Sequence, residues 1–191
     1  MSSNPNAISI LEANIDKIAW MHLCKNPSAM HLVPLKKHNI GWGNLSENPS
    51  AIEFLESNQH KIQWGALSRN PSAIQLLEAN PNKINWRRLS ANPSAMHLLE
   101  ANLDKIDWEE LSANPSAIHL LEANLDKIDW AELSANPSAI QLLEANQRHR
   151  DIDWSKLSAN PSAIHLLKEN KGKIDWISIS QNPAIFDFEK V

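Results

Sequence analysis

The stretch LSANPSAIHLLEANLDKIDW, residues 111–130, decides the fold because close copies of it fill most of the chain. Asn-Pro pairs recur every 22 residues, with one spacing of 24, and every tryptophan keeps the same period. The pairs begin at Asn4, Asn26, Asn48, Asn70, Asn92, Asn114, Asn136, Asn160 and Asn182, and the tryptophans are Trp20, Trp42, Trp64, Trp86, Trp108, Trp130, Trp154 and Trp176. Such a period is typical of a tandem-repeat protein.

Each repeat is predicted to begin with a short helix. The Asn114 side chain can cap its first turn, where Pro115 gives up no hydrogen bond. Ile118, Leu120 and Leu121 then share one apolar face of the helix. The asparagine that follows, Asn124 in this copy, is a suitable stop because asparagine tolerates the left-handed conformation found past helix ends.

A second helix is predicted around Trp108. Asp107 is a candidate N-cap and Glu110 stands three residues later, as in a capping box. In one copy, a further Asn-Pro pair leaves Pro81 as an alternative start for this helix. Helices this short are unstable alone and must pack against neighbouring repeats. The sequence therefore predicts an all-α fold, an α-solenoid of about eight tandem two-helix repeats of 22 residues, with residues 1–191 as a single helical-repeat domain.

The pattern LSxNPxAIxLLExNxxKIxW resembles the short helical tandem repeats in proteins of giant DNA viruses and, more distantly, leucine-rich-variant repeats. The resemblance covers nearly the full chain and implies an α-solenoid of viral origin. It implies no activity, because these repeats carry no assigned catalytic or ligand residues. Repeat 2 departs from the pattern, with Pro34 inside the first helix and Lys36 at the usual asparagine, so we expect irregular stacking there.

Composition limits the classes of function. The chain has 191 residues, 42% of them hydrophobic, which is enough for a substantial core. Its formal charge is −4, and residues 101–150 carry nine acidic and four basic residues, a net of −5. This charge disfavours nucleic acid and favours a basic protein partner. We expect no membrane segment and no signal peptide, hence a soluble intracellular protein, in the cytoplasm of the host or producing cell or in a virion.

The tryptophans and asparagines each allow two interpretations. The tryptophans could form a stacking platform for bases or sugars, but an aromatic at every helix entry is more typical of a buried spine. The asparagines could recognise a ligand, although an internal ladder of caps is the simpler interpretation. The single cysteine, Cys24, occupies the serine position of its repeat, which indicates a structural substitution rather than a nucleophile.

Two sets of residues are candidates for partner binding. His97, His119, Gln141 and His165 share one outward repeat position, which indicates a solvated polar stripe or a binding stripe. Repeats about 10 Å apart are too distant for two of these histidines to share a zinc ion. The second set, Arg148, His149 and Arg150, belongs to the two-residue insertion after Asn146. This insertion is predicted to be a loop, either merely tolerated or protruding as a contact point.

No catalytic, cofactor-binding or metal-binding residues stand out from the repeat, so we expect a non-enzymatic protein without cofactors. Extended repeat surfaces favour a protein-protein interaction or scaffold module. The alternative is a structural or assembly protein, virion-associated or self-associating. Homo-oligomerisation through the terminal repeats is a further expectation, because Ile8, Ile10 and Leu11 begin the chain with little to cover them and Phe186 and Phe188 end it.

Overall fold

The structure is a computed structural model and describes residue 4, residues 7–35 and residues 40–185. In these ranges the chain forms only short α-helices, 3₁₀ turns and loops, which confirms the all-α repeat solenoid. Lys36, Phe186 and Phe188, which the sequence marked as departures from the pattern, lie outside the described residues.

Each regular repeat contains a first helix, a 3₁₀ turn and a second helix. The first helices are Ile8–Glu12, Ile52–Glu56, Ile74–Glu78, Met96–Glu100, Ile118–Glu122, Ile140–Ala145 and Ile164–Glu169. The 3₁₀ turns between the helices are Ile15–Lys17, Gln59–Lys61, Pro81–Lys83, Leu103–Lys105, Leu125–Lys127 and Lys171–Lys173. The second helices are Trp20–Leu23, Trp42–Glu47, Trp64–Leu67, Trp86–Ser90, Trp108–Ser112, Trp130–Ala135, Trp154–Ala159 and Trp176–Ser180.

The first helix begins later than its sequence predicts. Asn114 accepts a hydrogen bond from the backbone N–H of Ser116 at 3.0 Å, but the α-helix starts only at Ile118. The asparagine therefore caps the Asn-Pro turn, which becomes a 3₁₀ turn at Pro49–Ala51 and Pro161–Ala163.

The end of the first helix also differs from its prediction. Asn124 has φ −140°, so the left-handed conformation expected there is wrong. Its side-chain amide instead donates to the Leu120 carbonyl at 2.8 Å, satisfying one of the carbonyls left open at the helix end.

The second helix begins at its tryptophan in every repeat. In the copy with two possible starts, Pro81–Lys83 is a separate 3₁₀ turn and the helix runs Trp86–Ser90. Asp107 caps its helix as predicted and accepts from the Glu110 backbone N–H at 3.0 Å. An aspartate also caps the helices that start at Trp130, Trp154 and Trp176, whereas those that start at Trp20, Trp42 and Trp64 have no side-chain cap.

Contacts divide the chain into two compact units, Met1–Ala95 and Met96–Val191, called here the N-terminal and C-terminal units. The single domain over residues 1–191 stays a prediction. Second helices pack side by side in both units, those starting at Trp42 and Trp64 in the first and those starting at Trp108, Trp130, Trp154 and Trp176 in the second.

The largest fully buried side chains of the core belong to two leucine positions of the repeat, one near the end of each helix. They are almost fully buried throughout the described residues: Leu23, Leu45, Leu55, Leu67, Leu77, Leu89, Leu99, Leu111, Leu121, Leu133, Leu143 and Leu157. Burial of a leucine side chain contributes about 1.5–3 kcal/mol, so this double row is the main apolar stabilisation of each repeat.

Repeats 1 and 2 depart from the regular arrangement. In repeat 2 the first helix is replaced by a 3₁₀ helix, Pro27–Leu35, which contains Pro34 as the sequence led us to expect. In repeat 1, Leu11 is buried, so it is wrong to treat it as an uncovered apolar residue; Ile10 is the exposed one, at 52%.

Candidate functional site

The Asn-Pro asparagines join each repeat to the one before it. The Asn136 amide donates to the carbonyls of Ser112 at 3.0 Å and Asn114 at 3.1 Å, both in the preceding repeat. Its oxygen accepts from the Ser138 backbone N–H. All of its hydrogen-bonding groups are thus used inside the protein, which confirms an internal ladder rather than ligand recognition. Asn70, Asn92, Asn160 and Asn182 repeat this arrangement.

The repeat serines form a second link between repeats. Ser134 donates to the Trp130 carbonyl at 2.7 Å and accepts from the Asp153 backbone N–H of the next repeat at 3.0 Å. The N–H of the capping aspartate is therefore satisfied by a serine. In a complete capping box that N–H would instead donate to a glutamate or glutamine side chain.

Cys24 takes the serine's place in repeat 1. It is buried, and its carbonyl accepts from the Asn48 amide at 2.9 Å. Burial raises the pKa of the Cys24 thiol, although the Gly41 backbone N–H donates toward it and lowers that pKa in part. A buried thiol with a raised pKa is a poor nucleophile, which supports the structural interpretation.

The tryptophans are not a continuous buried spine. Trp130 is 7% exposed, Trp108 and Trp154 are half-buried, and Trp176 is 68% exposed. Where a tryptophan is covered in the C-terminal unit, a side chain of the following repeat lies on its ring. Lys127 Nζ is 4.9 Å from the Trp108 ring centroid. The tryptophan position therefore works as a contact between repeats, with cation–π character.

The insertion forms a loop, as predicted, and the repeats on either side stay in register. Its His149 ring stacks on Trp130 with centroids 4.3 Å apart, in the place a lysine fills in other repeats. Arg148 is exposed, and Arg150 is exposed at 91% beside Asp151, with Nε 3.4 Å from a carboxylate oxygen. Among the three predicted contact residues, His149 thus serves the fold, while both arginines face solvent.

Replacing residues 147–151, QRHRD, by the regular LDK is expected to change the unfolding midpoint little, by roughly 2 °C or less. The new lysine would cover Trp130 as Lys127 covers Trp108, and the lost Arg150–Asp151 pair is an exposed one. His149→Ala in the native loop, which uncovers Trp130, is expected to lower stability by about 1 kcal/mol. Thermal unfolding of the two variants side by side checks this; an LDK variant as unstable as His149→Ala would contradict it.

The predicted polar stripe is exposed at His97, His119, Gln141 and His165. Two of its histidines, His119 and His165, contact glutamates of the preceding repeat. His119 Nε2 lies 2.6 Å from Glu100, and His165 pairs with Glu144 in the same way. In the N-terminal unit, His31 pairs with Glu12 at 2.8 Å. Exposed pairs of this kind contribute about 0–1 kcal/mol each, so the stripe is a weak link between repeats.

A different surface, which the sequence patterns did not single out, varies most between repeats. It comprises the two residues after each tryptophan, all exposed or half-buried, and is called here the variable row. Its members are Met21, His22, Gly43, Asn44, Gly65, Ala66, Arg87, Arg88, Glu109, Glu110, Ala131, Glu132, Ser155, Lys156, Ile177 and Ser178. The signal was available in the sequence, because the flanking tryptophan and the leucine that follows hardly change.

The variable row carries different chemistry in each unit. In the C-terminal unit, Glu109, Glu110 and Glu132 line one shallow depression between successive second helices. Lys156 Nζ lies 2.7 Å from Glu132, and this hydrogen bond raises the pKa of Lys156. In the N-terminal unit, the equivalent depression is lined by Lys25, Asn44 and Glu47, among others.

Asp175, the cap of the helix Trp176–Ser180, has a pKa lowered from the ordinary value of an aspartate. The backbone N–H and the hydroxyl of Ser178 hydrogen-bond to it and stabilise the charged form. The cap thus favours the folded state above the ordinary pKa of an aspartate, and this contribution is lost on acidification.

Over the described ranges, no three His, Cys, Asp or Glu side chains are grouped closely enough to hold a metal ion. In the same ranges, no helix is both long and apolar enough to cross a membrane. Every buried side-chain nitrogen or oxygen described has a hydrogen-bond partner, so no orphaned polar group points to a missing ligand.

Comparisons with protein-family models, curated proteins and solved structures find nothing that matches this chain. The resemblance to the viral tandem repeats therefore stays an expectation from the motif.

Proposed function

We propose that this protein is a non-enzymatic interaction or scaffold module that binds a protein partner along its variable row. The repeated residues have roles inside the stack, since Asn136, Ser134 and Leu133 bond or pack within the repeats. The residues after each tryptophan change from arginine to glutamate to lysine while staying accessible. The observation that carries the proposal is this division between constant buried positions and changing exposed ones, which suits recognition along a repeat surface.

The acidic part of the row defines the partner's chemistry. Glu109, Glu110 and Glu132 line one depression, and Glu132 pairs with Lys156. A segment rich in lysine or arginine complements this charge. The net charge of −5 over residues 101–150 would speed the encounter with such a partner.

The single cysteine and the viral-type repeat pattern support an intracellular setting, in a host cell or virion.

Affinity capture from the native cell or particle, read by mass spectrometry, tests the proposal. The double variant Glu109→Lys/Glu110→Lys is expected to lose its captured proteins at least about tenfold, since close charge pairs at interfaces are worth about 1.4 kcal/mol or more. Glu122→Lys/Asp126→Lys is the matched control, because it makes the same charge change on exposed residues outside the row. Equal capture by both variants and the parent would contradict the proposal.

The exposed insertion gives a second, independent contact to test once a partner is captured. Restoring LDK removes Arg148 and Arg150 while keeping the fold. It is expected to weaken the complex by about 1 kcal/mol or more if the loop protrudes into the partner. Unchanged affinity would assign the insertion to the fold alone.

A second candidate function, a structural protein that associates with copies of itself, is favoured by one observation. Trp176 and Ile177 are adjacent and exposed at 68% and 75%, an apolar pair at the end of the C-terminal unit.

A further inference from the structure

Within the C-terminal unit, each repeat places one side chain on the tryptophan of the repeat before it. Lys127 covers Trp108 at 4.9 Å, and Lys173 covers Trp154 at 4.3 Å, both from Nζ to ring centroid. Both lysines end the 3₁₀ turn that precedes the next second helix. The contact is thus a standard part of the joint between two repeats, made by the last residue of that turn.

In the described part of the C-terminal unit, Trp176 is the tryptophan without a lysine or histidine of a following repeat on its ring. Its ring is 68% exposed, and the neighbouring Ile177 is exposed too. Ser180 is exposed as well, whereas the equivalent Ser134 and Ser158 are fully buried. Trp176, Ile177 and Ser180 are called here the end face. Its tryptophan and serine stand at repeat positions that are covered in Trp130, Ser134 and Ser158, and Ile177 adds apolar surface beside them.

Repeat 1 presents the complementary groups. Lys17 is exposed and ends the 3₁₀ turn Ile15–Lys17, the position held by the two covering lysines of the C-terminal unit. Ile10 is 52% exposed, although Leu32 and Leu76 at its repeat position are 3% and 7% exposed. Leu32 and Leu76 each have a repeat before them. Repeat 1 therefore exposes, at Ile10 and Lys17, two positions that other repeats use at the joint with a neighbouring repeat.

We propose that a second copy of this chain docks its repeat 1 on the end face, with its Lys17 over the Trp176 ring. The contact continues the joint between repeats from one molecule into the next, and Ile10 is removed from water with it. Two different surfaces meet, so the contact is heterologous and adds further copies unless the copies close into a ring. This inference rests on the second candidate function and is independent of partner binding by the acidic part of the variable row, because the two surfaces share only Ile177.

Light scattering over a range of concentrations tests the contact. The weight-average mass of the full chain is expected to rise above the 21.5 kDa of one copy as concentration increases to about 0.5 mM, where micromolar-to-millimolar contacts fill. Trp176→Ser and Lys17→Glu should each raise the dissociation constant about tenfold or more, since each removes the cation–π contact and the lysine change adds a repelled charge. Leu125→Ser is the control, because it removes an exposed apolar residue away from both surfaces.

Mixing the two variants distinguishes head-to-tail docking from a two-fold contact. The Lys17→Glu chain keeps an intact end face, and the Trp176→Ser chain keeps an intact repeat 1. Their equimolar mixture should therefore form dimers that grow no further, although each variant alone stays monomeric at the same concentration. A two-fold contact between end faces would leave Lys17→Glu associating like the parent, which overturns the proposal.

Two further results also overturn it. One is a parent chain that stays monomeric at about 0.5 mM, which would mean that a second copy does not cover the end face. The other is a Leu125→Ser variant that associates as weakly as Trp176→Ser, which would indicate nonspecific apolar adhesion. In neither case would capture of a partner by the variable row be affected.

Discussion

Replacing Asn136 by alanine is expected to lower the free energy of unfolding by on the order of 3 kcal/mol. The amide is buried and donates to two carbonyls of the preceding repeat, at 3.0 Å from Ser112 and 3.1 Å from Asn114, while its oxygen accepts from Ser138. Alanine removes the side-chain donor to the Ser112 carbonyl and the acceptor for the Ser138 N–H, and it leaves the Asn114 carbonyl with the Ala117 N–H as its donor. Each unsatisfied buried group costs about 1–3 kcal/mol. Urea-induced unfolding followed by circular dichroism measures the loss.

Asn124→Ala is the matched control from the neighbouring repeat. That asparagine is half-buried and makes one local bond, to the Leu120 carbonyl at 2.8 Å, so its loss should cost about 1 kcal/mol or less. Asn136→Asp adds a sharper comparison, because it keeps the acceptor for Ser138 and replaces the donating amide with a carboxylate facing two carbonyls. It should be at least as unstable as Asn136→Ala. Equal losses for Asn136→Ala and Asn124→Ala would show that the asparagine acts only as a local cap.

The features that could be predicted from the sequence are those that depend on one repeat alone. The 22-residue period predicts the helices. The helical spacing of apolar residues within Ile118–Glu122 predicts that Leu120 and Leu121 are buried. The cap at Asp107 follows from its place before Trp108. Each of these is a matter of local backbone geometry, which the residue order largely determines.

The features that could not be predicted depend on which atoms of two repeats face each other. The oxygen of Asn136 satisfies a local N–H, as a capping asparagine should, but its amide needs carbonyls 22 and 24 residues away. The pairing of His119 with Glu100 likewise spans 19 residues. Burial of Leu11 beside exposed Ile10 depends on which of the two residues a neighbouring repeat covers. A period in the sequence fixes none of these offsets.

The variable row could have been found from sequence and was not. The outward histidines were the predicted binding residues because histidine binds metals and partners. His119 and His165 instead pair with glutamates of the preceding repeat. The residues after each tryptophan look unremarkable singly. Only their change from Arg87-Arg88 to Glu109-Glu110 between adjacent repeats marks them, and that comparison needs the repeats aligned.

A second large effect is expected from deletions that keep or break the period. Removing residues 114–135, one whole repeat, joins Ala113 to Asn136 and leaves the sequence on both sides of the junction in its native order. In the shortened chain, the Asn136 amide can again donate to the carbonyls of a serine and an asparagine in the repeat before it, as it does to Ser112 and Asn114 in the parent chain. The shortened chain should fold and unfold cooperatively, with a midpoint lower by roughly 5–10 °C because one repeat and one joint are lost.

Removing residues 114–124 instead takes away only the first helix of that repeat. Asn136 then loses the Asn114 carbonyl it bonds to, and Ser112 lies eleven residues nearer along the chain, out of phase with the joint. The fully buried Leu121 is removed as well, so one position of the double leucine row is lost. We expect the C-terminal unit to lose cooperative folding, because its second helices are too short to persist without stacking.

Thermal unfolding of these two deletion variants, followed by far-ultraviolet circular dichroism beside the parent chain, tests most directly whether the protein is a stack of 22-residue repeats joined by the asparagine ladder. We expect the variant lacking residues 114–135 to keep the parent's helical signal per residue and one cooperative transition. The variant lacking residues 114–124 should lose much of that signal and melt without a sharp transition. Loss of folding in both variants, or its retention in both, would contradict a repeat stack held together by this ladder.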